Sequence, residues 1–176
     1  LLAGEEVNFA NPRDAQNSGV VMIHQELNLI PHLSVAENIF LGRECVNRLG
    51  LIDYKRMYGE TEGILEQLNL RIAPDRLIRN LRVGQQQIVE IAKAISFDAR
   101  VVIMDEPTSA ISEREVQVLF GLIRSLKEHG VGIVYITHKL DEVFQIADRA
   151  TVMRDGTVVD SCIPDEVGHD DIVRMM

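Results

Sequence analysis

Asp105 and Glu106 stand side by side after the apolar run Val101-Val102-Ile103-Met104, and Pro107 follows them. Adjacent carboxylates at a strand exit can divide the work of phosphoryl transfer. One holds Mg²⁺, and the other positions or deprotonates the attacking water. A buried strand ending in a solvated acidic turn gives the same string. Gln25 and His138 widen the set, because each follows a short apolar run, 20–23 and 131–137. A glutamine can coordinate Mg²⁺ or its water, and a histidine can hydrogen-bond a terminal phosphate. Taken singly, Gln25 is equally a polar loop residue and His138 a capped or solvated histidine. Strand exits in a parallel sheet share one edge, so Gln25, Asp105, Glu106 and His138 are expected to converge there.

A further segment, Leu81-Arg82-Val83-Gly84-Gln85, leads into a strongly periodic stretch. Gly84 allows close approach of backbone to a ligand. A helix N-terminus presents unpaired N–H groups and positive potential to an anion. A plain glycine-containing loop before a helix reads the same way in isolation.

The elements that must position these groups follow from local pattern. Asn11-Pro12 reads as an N-cap with proline at the first helical position, and Gly19 closes that short helix. Residues 20–23 form a buried strand. Ser34 and Glu37 make a capping box for a helix ending near Gly42. Asp53 caps a helix to about Leu68 with Met57, Ile64, Leu65 and Leu68 inward, although Gly59 and Gly63 weaken it. Residues 74–80 read as a loop.

The stretch 85–95 is a helix with Ile88, Ile91, Ala92 and Ile95 on one face. Residues 100–104 are a strand buried on both faces. Ser112 and Glu115 make a second capping box, and the helix behind them buries Val116, Leu119, Phe120, Ile123 and Leu126 before Gly130. A strand over 131–137 is followed by a helix lined by Leu140, Val143, Phe144 and Ala147. Asp155-Gly156 then joins strands 150–154 and 157–160 in a hairpin. Strand–helix alternation from residue 100 predicts a parallel α/β sheet, with a mostly helical insertion over about 26–96.

The 176 residues suffice for one domain or part of a larger one. A net charge of -9 argues against a general nucleic-acid partner, since phosphate neutralisation needs a basic surface. Cys45 and Cys162 fit no metal spacing, and a disulfide framework is not expected. The His residues at 24, 32, 129, 138 and 169 show no ligand-like clustering. Leu1-Leu2-Ala3-Gly4 reads as mid-strand, and the end over 172–176 as an apolar helix without a natural stop. The expectation is a piece of a longer protein.

The order of these motifs resembles the ATP-binding cassette (ABC) family. Gln25 is similar to the Q-loop glutamine, Leu81 to Gln85 to the signature motif, and Asp105-Glu106 to the end of the Walker B strand. Ser109, Ala110, Ile111 and Ser112 are similar to the D-loop, and His138 to the switch histidine. The words HQELNLIPHLSVAENIFLGRE (24–44), VGQQQIVEIAKAI (83–95), MDEPTSA (104–110) and YITHKLDEVFQIADRATVMRDG (135–156) resemble the first cassette of the tandem ATPase subunits of bacterial monosaccharide importers.

The resemblance implies an α/β fold, a partial P-loop NTPase (RecA-like) core with a parallel sheet and an inserted helical subdomain. It divides the chain into 1–25, an ATPase-core remnant; 26–96, the helical subdomain; and 97–176, the core with Walker B, D-loop and switch histidine. It implies ATP and Mg²⁺ as cofactors. Asp105 supports the metal, and Gln25 senses metal and γ-phosphate. Glu106 is the general base and His138 contacts the γ-phosphate. The signature segment Leu81, Arg82, Val83, Gly84 and Gln85 serves ATP held by a second cassette. Residues from Asn28 to Leu41 face a transmembrane permease subunit, with a sugar-binding protein as an indirect partner. The implied location is the cytoplasmic face of the plasma membrane.

Two departures stand out. The phosphate loop G-x-x-x-x-G-K-[ST] is absent, and family order puts it upstream of Leu1. Arg82 occupies a position where the family usually has serine. Arginine there offers a charge-assisted contact, blocks closure by its bulk, or points to solvent. Ser112 replaces the usual D-loop aspartate and has a second use as a helix cap. Two alternatives therefore stand beside an ATPase energising sugar import. One is a degenerate cassette acting as a nucleotide-dependent interaction module. The other is a non-transport ABC ATPase, which the acidic balance disfavours.

Overall fold

The computed structural model describes residues 1–68 and 70–175. Its contacts divide the chain into two units, Leu1–Val134 and Tyr135–Met176, and each is described by itself. In the first unit, α1 (Pro12–Asn17) is capped by Asn11, whose side chain accepts from the Asp14 N–H. Gly19 then turns the chain at φ +83°, a conformation that L side chains resist, and feeds β1 (Val20–Ile23).

β1 pairs in parallel with β2 (Val101–Asp105), in the register Val20↔Val101 to Ile23↔Met104. The Gly19 carbonyl anchors that register by accepting from both Arg100 N–H (2.8 Å) and Val101 N–H (3.0 Å). β3 (Gly132–Ile136) completes the order β1-β2-β3, and the unit boundary falls inside it. Val21, Ile23, Val102 and Met104 are buried, whereas Met22 is exposed and Val101 and Ile103 are half-buried. The expectation of a strand buried on both faces is thus met on one face only. The alternate residues lie on the other face, which has partial cover.

Helices build the rest of the unit. Ser34 and Glu37 form the expected reciprocal capping box at the start of α2 (Val35–Ile39), with bonds of 3.2 and 2.7 Å. Asp53 caps α3 (Tyr54–Gln67) through the Arg56 N–H, and Met57 and Leu65 are buried while Ile64 is half-buried. A short 3-10 turn, Ile78–Asn80, occupies the end of the expected loop. It leads to α4 (Val83–Ile95), which starts two residues before the expected Gln85. α2 packs on both α3 and α4. α5 (Glu113–Glu128) buries Leu119, Phe120, Leu122, Ile123 and Leu126. Each such side chain contributes about 2 kcal/mol of apolar burial. Val116, expected inward, is half-buried because it lies in the first turn.

The start of the chain departs from expectation. Leu2 and Glu5 exchange N–H···O bonds of 2.8 and 3.0 Å around Ala3 (φ +51°) and Gly4 (φ +87°). This is a tight turn with two left-handed residues, not a mid-strand segment.

In the second unit, α6 (Leu140–Ile146) precedes a hairpin of β4 (Ala150–Arg154) and β5 (Thr157–Cys162). Asp155 and Gly156 supply the two positive φ values that a right-twisted hairpin turn requires. α7 (His169–Met175) follows, and Met176 lies outside the described residues. The expected apolar lining of α6 is only half-buried, and Glu142 is the buried residue. Its carboxylate accepts from the Tyr135 hydroxyl (2.8 Å) and the Thr137 hydroxyl (3.0 Å), and the Lys139 ammonium lies 3.5 Å away. Hydrogen-bonded partners compensate the cost of burying that charge. Among the described residues, no helix is long and apolar enough to cross a membrane.

Asn38 is fully buried in α2 and has three bonds. Its Oδ1 accepts from Ile30 N–H (2.7 Å), and its Nδ2 donates to Ile30 O (3.1 Å) and Ser34 O (2.9 Å). Asn38→Ala is expected to lower unfolding stability by about 2 kcal/mol, since it removes three hydrogen bonds and leaves the Ile30 N–H without this acceptor. Urea denaturation reads this directly, and a loss below about 0.5 kcal/mol, ordinary for surface changes, removes the clasp from the stability account.

Candidate active site and signature segment

The parallel register decides what meets at the sheet edge. Ile23 and Met104 are partners, so the residues after them emerge together. Gln25 Nε2 donates to Glu106 Oε2 at 3.3 Å across 81 positions of sequence. Gln25 is exposed, and Asp105 and Glu106 are half-buried, open enough to meet a ligand.

Glu106 sits at φ +43°, an uncommon conformation for a residue with a side chain. Left-handed backbone costs a non-glycine residue about 1 kcal/mol or more. Pro107 disfavours the right-handed helical region at the preceding residue. The Glu106 carbonyl accepts from Ser109 N–H at 3.1 Å, closing a turn with Pro107 and Thr108 in its middle. Pro107 and Thr108, its central residues, are buried, while Ser109 and Ala110 are exposed, Ile111 is half-buried and Ser112 is exposed. The acidic edge therefore leads directly into a largely exposed segment, Ser109 to Ser112.

Asp105 and Gln25 fit a Mg²⁺ that is held mainly by a nucleotide. Mg²⁺ takes one or two protein oxygens and completes its shell with phosphate and water. No group of three or more His, Cys, Asp or Glu among the described residues could hold a metal unaided. The donor chemistry is a carboxylate with one amide oxygen, which suits a shared ion. His138 is exposed and belongs to the second unit, after β3, and its neighbour Lys139 donates its N–H to Thr137 Oγ1 at 3.0 Å.

The signature segment opens α4. Leu81 and Gly84 are buried, Arg82 and Val83 exposed, and Gln85 half-buried. Arg82 is the N-cap, yet arginine carries no acceptor. Gln85 Oε1 reaches back to the Arg82 N–H at 3.2 Å, which forms half of a capping box. At Gly84 a Cβ would collide with the Glu115 carboxyl from α5, so a side chain there would have to displace that carboxylate. Ser112 donates its N–H (2.9 Å) and hydroxyl (2.8 Å) to Glu115 Oε2. These bonds, with the Arg82 guanidinium and the Gly84 N–H, hold the Glu115 carboxyl below its ordinary value.

Two anchors escaped sequence reasoning. Glu90 on α4 is 8% exposed and accepts from the Asn28 N–H at 3.0 Å. A charged residue on an otherwise apolar helix face was the available signal. Burial pushes the Glu90 carboxyl up, against the Asn28 N–H, Lys93 and His24, which lower it. Arg43 stacks on Phe97 at 3.6 Å and donates to Ser96 O (2.9 Å), Ser96 Oγ (2.6 Å) and Ile39 O (3.1 Å). It ties the end of α2 to the end of α4.

A raised folded-state pKa for Glu90 means that the folded chain holds more protons than the unfolded one in the range between the two values. Stability contributed by this group therefore falls as pH rises through that range. Glu90→Gln keeps an acceptor for Asn28 and removes the charge. Thermal melts across pH are expected to show the variant gaining on the native chain at neutral pH, the gain shrinking in acid. A pH-independent difference would show that the Glu90 charge carries no such cost.

Comparison with known proteins places these observations. The family described as ABC transporter matches residues 1–109. The ribose import ATP-binding protein of Rhodopirellula baltica is 54% identical over 176 residues, which is 100% of this chain and 34% of that protein. A protein of Rhizobium johnstonii described as a putative ribose/galactose/methyl galactoside import ATP-binding protein is 53% identical over 175 residues, 99% of this chain and 34% of that protein. The chain thus spans about a third of the length of these curated relatives. A dimeric ATP-binding cassette in a post-hydrolysis state, bound to ADP and Pi, superposes with a TM-score of 0.71 at 22% identity, covering 89% of this chain and 68% of that one. The fold is that of ATP-binding cassettes, and the chain belongs to the ABC transporter family.

Proposed function

We propose that this chain is the catalytic portion of an ATPase that energises monosaccharide import through an ABC membrane transporter. The observation that carries the reading is the Gln25–Glu106 pair, placed by the β1–β2 register at one sheet edge beside Asp105. Glu106 acts as the general base on the hydrolytic water, with its backbone turned by Pro107 to aim the carboxylate. Gln25, bonded to Glu106, reports the state of that edge to the segment that follows it. Mg²⁺, when bound, neutralises charge on the transferring phosphoryl group. Asp105 and the Gln25 amide oxygen are the side chains that would hold it, and His138 supplies a hydrogen bond to the γ-phosphate. The segments 1–25, 26–96 and 97–176 correspond in this reading to core, helical subdomain and core.

The signature segment, Leu81 to Gln85, serves nucleotide on a second cassette, together with Ser109 to Ser112. The dimeric state of the ADP- and Pi-bound structural relative supports this arrangement. Residues Asn28 to Leu41 meet the membrane subunit. Ile30 and Leu41 are exposed apolar side chains there, and the Asn38 clasp stiffens the backbone that carries Ile30. A peripheral position on the cytoplasmic face follows from that partner, and a sugar-binding protein acts through it. The names of the relatives, ribose and galactose importers, support a monosaccharide as cargo.

The test is Glu106→Gln in the full-length gene product assembled with its membrane subunit. Turnover is expected to fall by about 10²-fold or more, the loss typical of a removed general base, while ATP binding persists. Turnover within about twofold of native would remove Glu106 from the role and the reading with it.

A further inference from the structure

Arg82 heads α4 without an acceptor, and the bonds around Glu115 show what compensates. A helix start leaves its first N–H groups unpaired, and a good N-cap supplies an oxygen for one of them. Serine, threonine, aspartate or asparagine does this locally; arginine cannot. Gln85 satisfies only the Arg82 N–H, which precedes the helix. The Glu115 carboxyl, thirty-one positions later in sequence at the start of α5, lies against Gly84 in the first turn of α4, close enough to favour the Gly84 N–H. The carboxyl group lies so close to Gly84 that a Cβ there would push it away. The same carboxylate collects the N–H and hydroxyl of Ser112, the last residue of the D-loop. An anionic acceptor at a helix N-terminus also gains from the helix dipole and from the nearby Arg82 guanidinium.

We infer that Glu115 is a positioning residue that replaces the missing cap of α4 and joins the signature segment to the D-loop as one rigid piece. The inference rests on the reading above, in which both segments serve nucleotide across a cassette pair. Its consequence is specific. Glu115 matters because position 82 is arginine. A serine at 82 restores a local acceptor and makes the distant carboxylate partly redundant.

The experiment is a double-mutant cycle in the full-length gene product with its membrane subunit, reading kcat and KM for ATP. Glu115→Ala is expected to lower kcat about tenfold in the native background with little change in KM, because the joined piece acts in closure. In the Arg82→Ser background the same substitution is expected to cost less than about threefold, a coupling that only interacting sites show. Glu115→Gln keeps an acceptor oxygen and retains most of the turnover in the native background. Equal losses from Glu115→Ala in both backgrounds overturn the inference, because a general folding defect or a simple cap of α5 would act alike in each. No loss in either background also overturns it, as does a Gln variant as impaired as the Ala variant. Glu106→Gln is run alongside. Retained turnover there sinks the underlying reading, whereas lost turnover with equal Glu115 losses sinks this inference alone.

Discussion

The parallel pairing of β1 with β2 is the constraint on which the site depends. A one-residue slip in that register would turn every inward side chain of one strand outward. It would also separate Gln25 from Glu106, because both are counted from the paired residues Ile23 and Met104. The Gly19 carbonyl, bonded to Arg100 and Val101, holds the strand starts in step. Gly19 can do so because its positive φ brings the chain sharply out of α1. A helix end, a strand start and a site geometry thus hang on one backbone conformation.

Beyond the strands, the chain uses strain locally and offsets it nearby. Glu106 occupies the left-handed region, and the turn closed by Ser109, with Pro107 and Thr108 as its buried central residues, fixes it there. Such a residue persists only when its surroundings over-determine it. The result is a carboxylate presented from a stiff corner rather than from a mobile loop. That suits a group which must act without reorganising at the moment of reaction.

Much of this was legible in sequence, for identifiable reasons. The strands around 20–23 and 101–105, the capping boxes at Ser34 and Ser112, the Asp53 cap and the Asp155-Gly156 hairpin all depend on residues within a few positions of one another. Local rules reach that far. Hydrophobic period failed where a polar group was the buried one. α6 was expected to bury Leu140, Val143, Phe144 and Ala147, but it buries Glu142, because Tyr135 and Thr137 bring hydroxyls to it. Glu90 was passed over for the same reason, since its partner Asn28 lies 62 positions away. At the sheet edge, the β1–β2 register brings Gln25 into a hydrogen bond with Glu106, the neighbour of Asp105. The second use of Glu115 was invisible, because a capping box already accounted for it.

α4 emerges as the element through which the rest communicates. Its N-terminus is held by Glu115 of α5, its middle by Glu90 reaching Asn28, and its end by Arg43 through Ser96 and Phe97. These three attachments lead to different places: Ser112 at the start of α5, the segment after Gln25, and the end of α2. None is a broad apolar contact that tolerates sliding. Each is a close polar or stacked contact that depends on its geometry. Two of the attachments reach Asn28 and Arg43, which flank the exposed Ile30 and Leu41 in sequence. The same helix thus joins the residues at its start to both ends of the 28–43 segment through polar and stacked contacts.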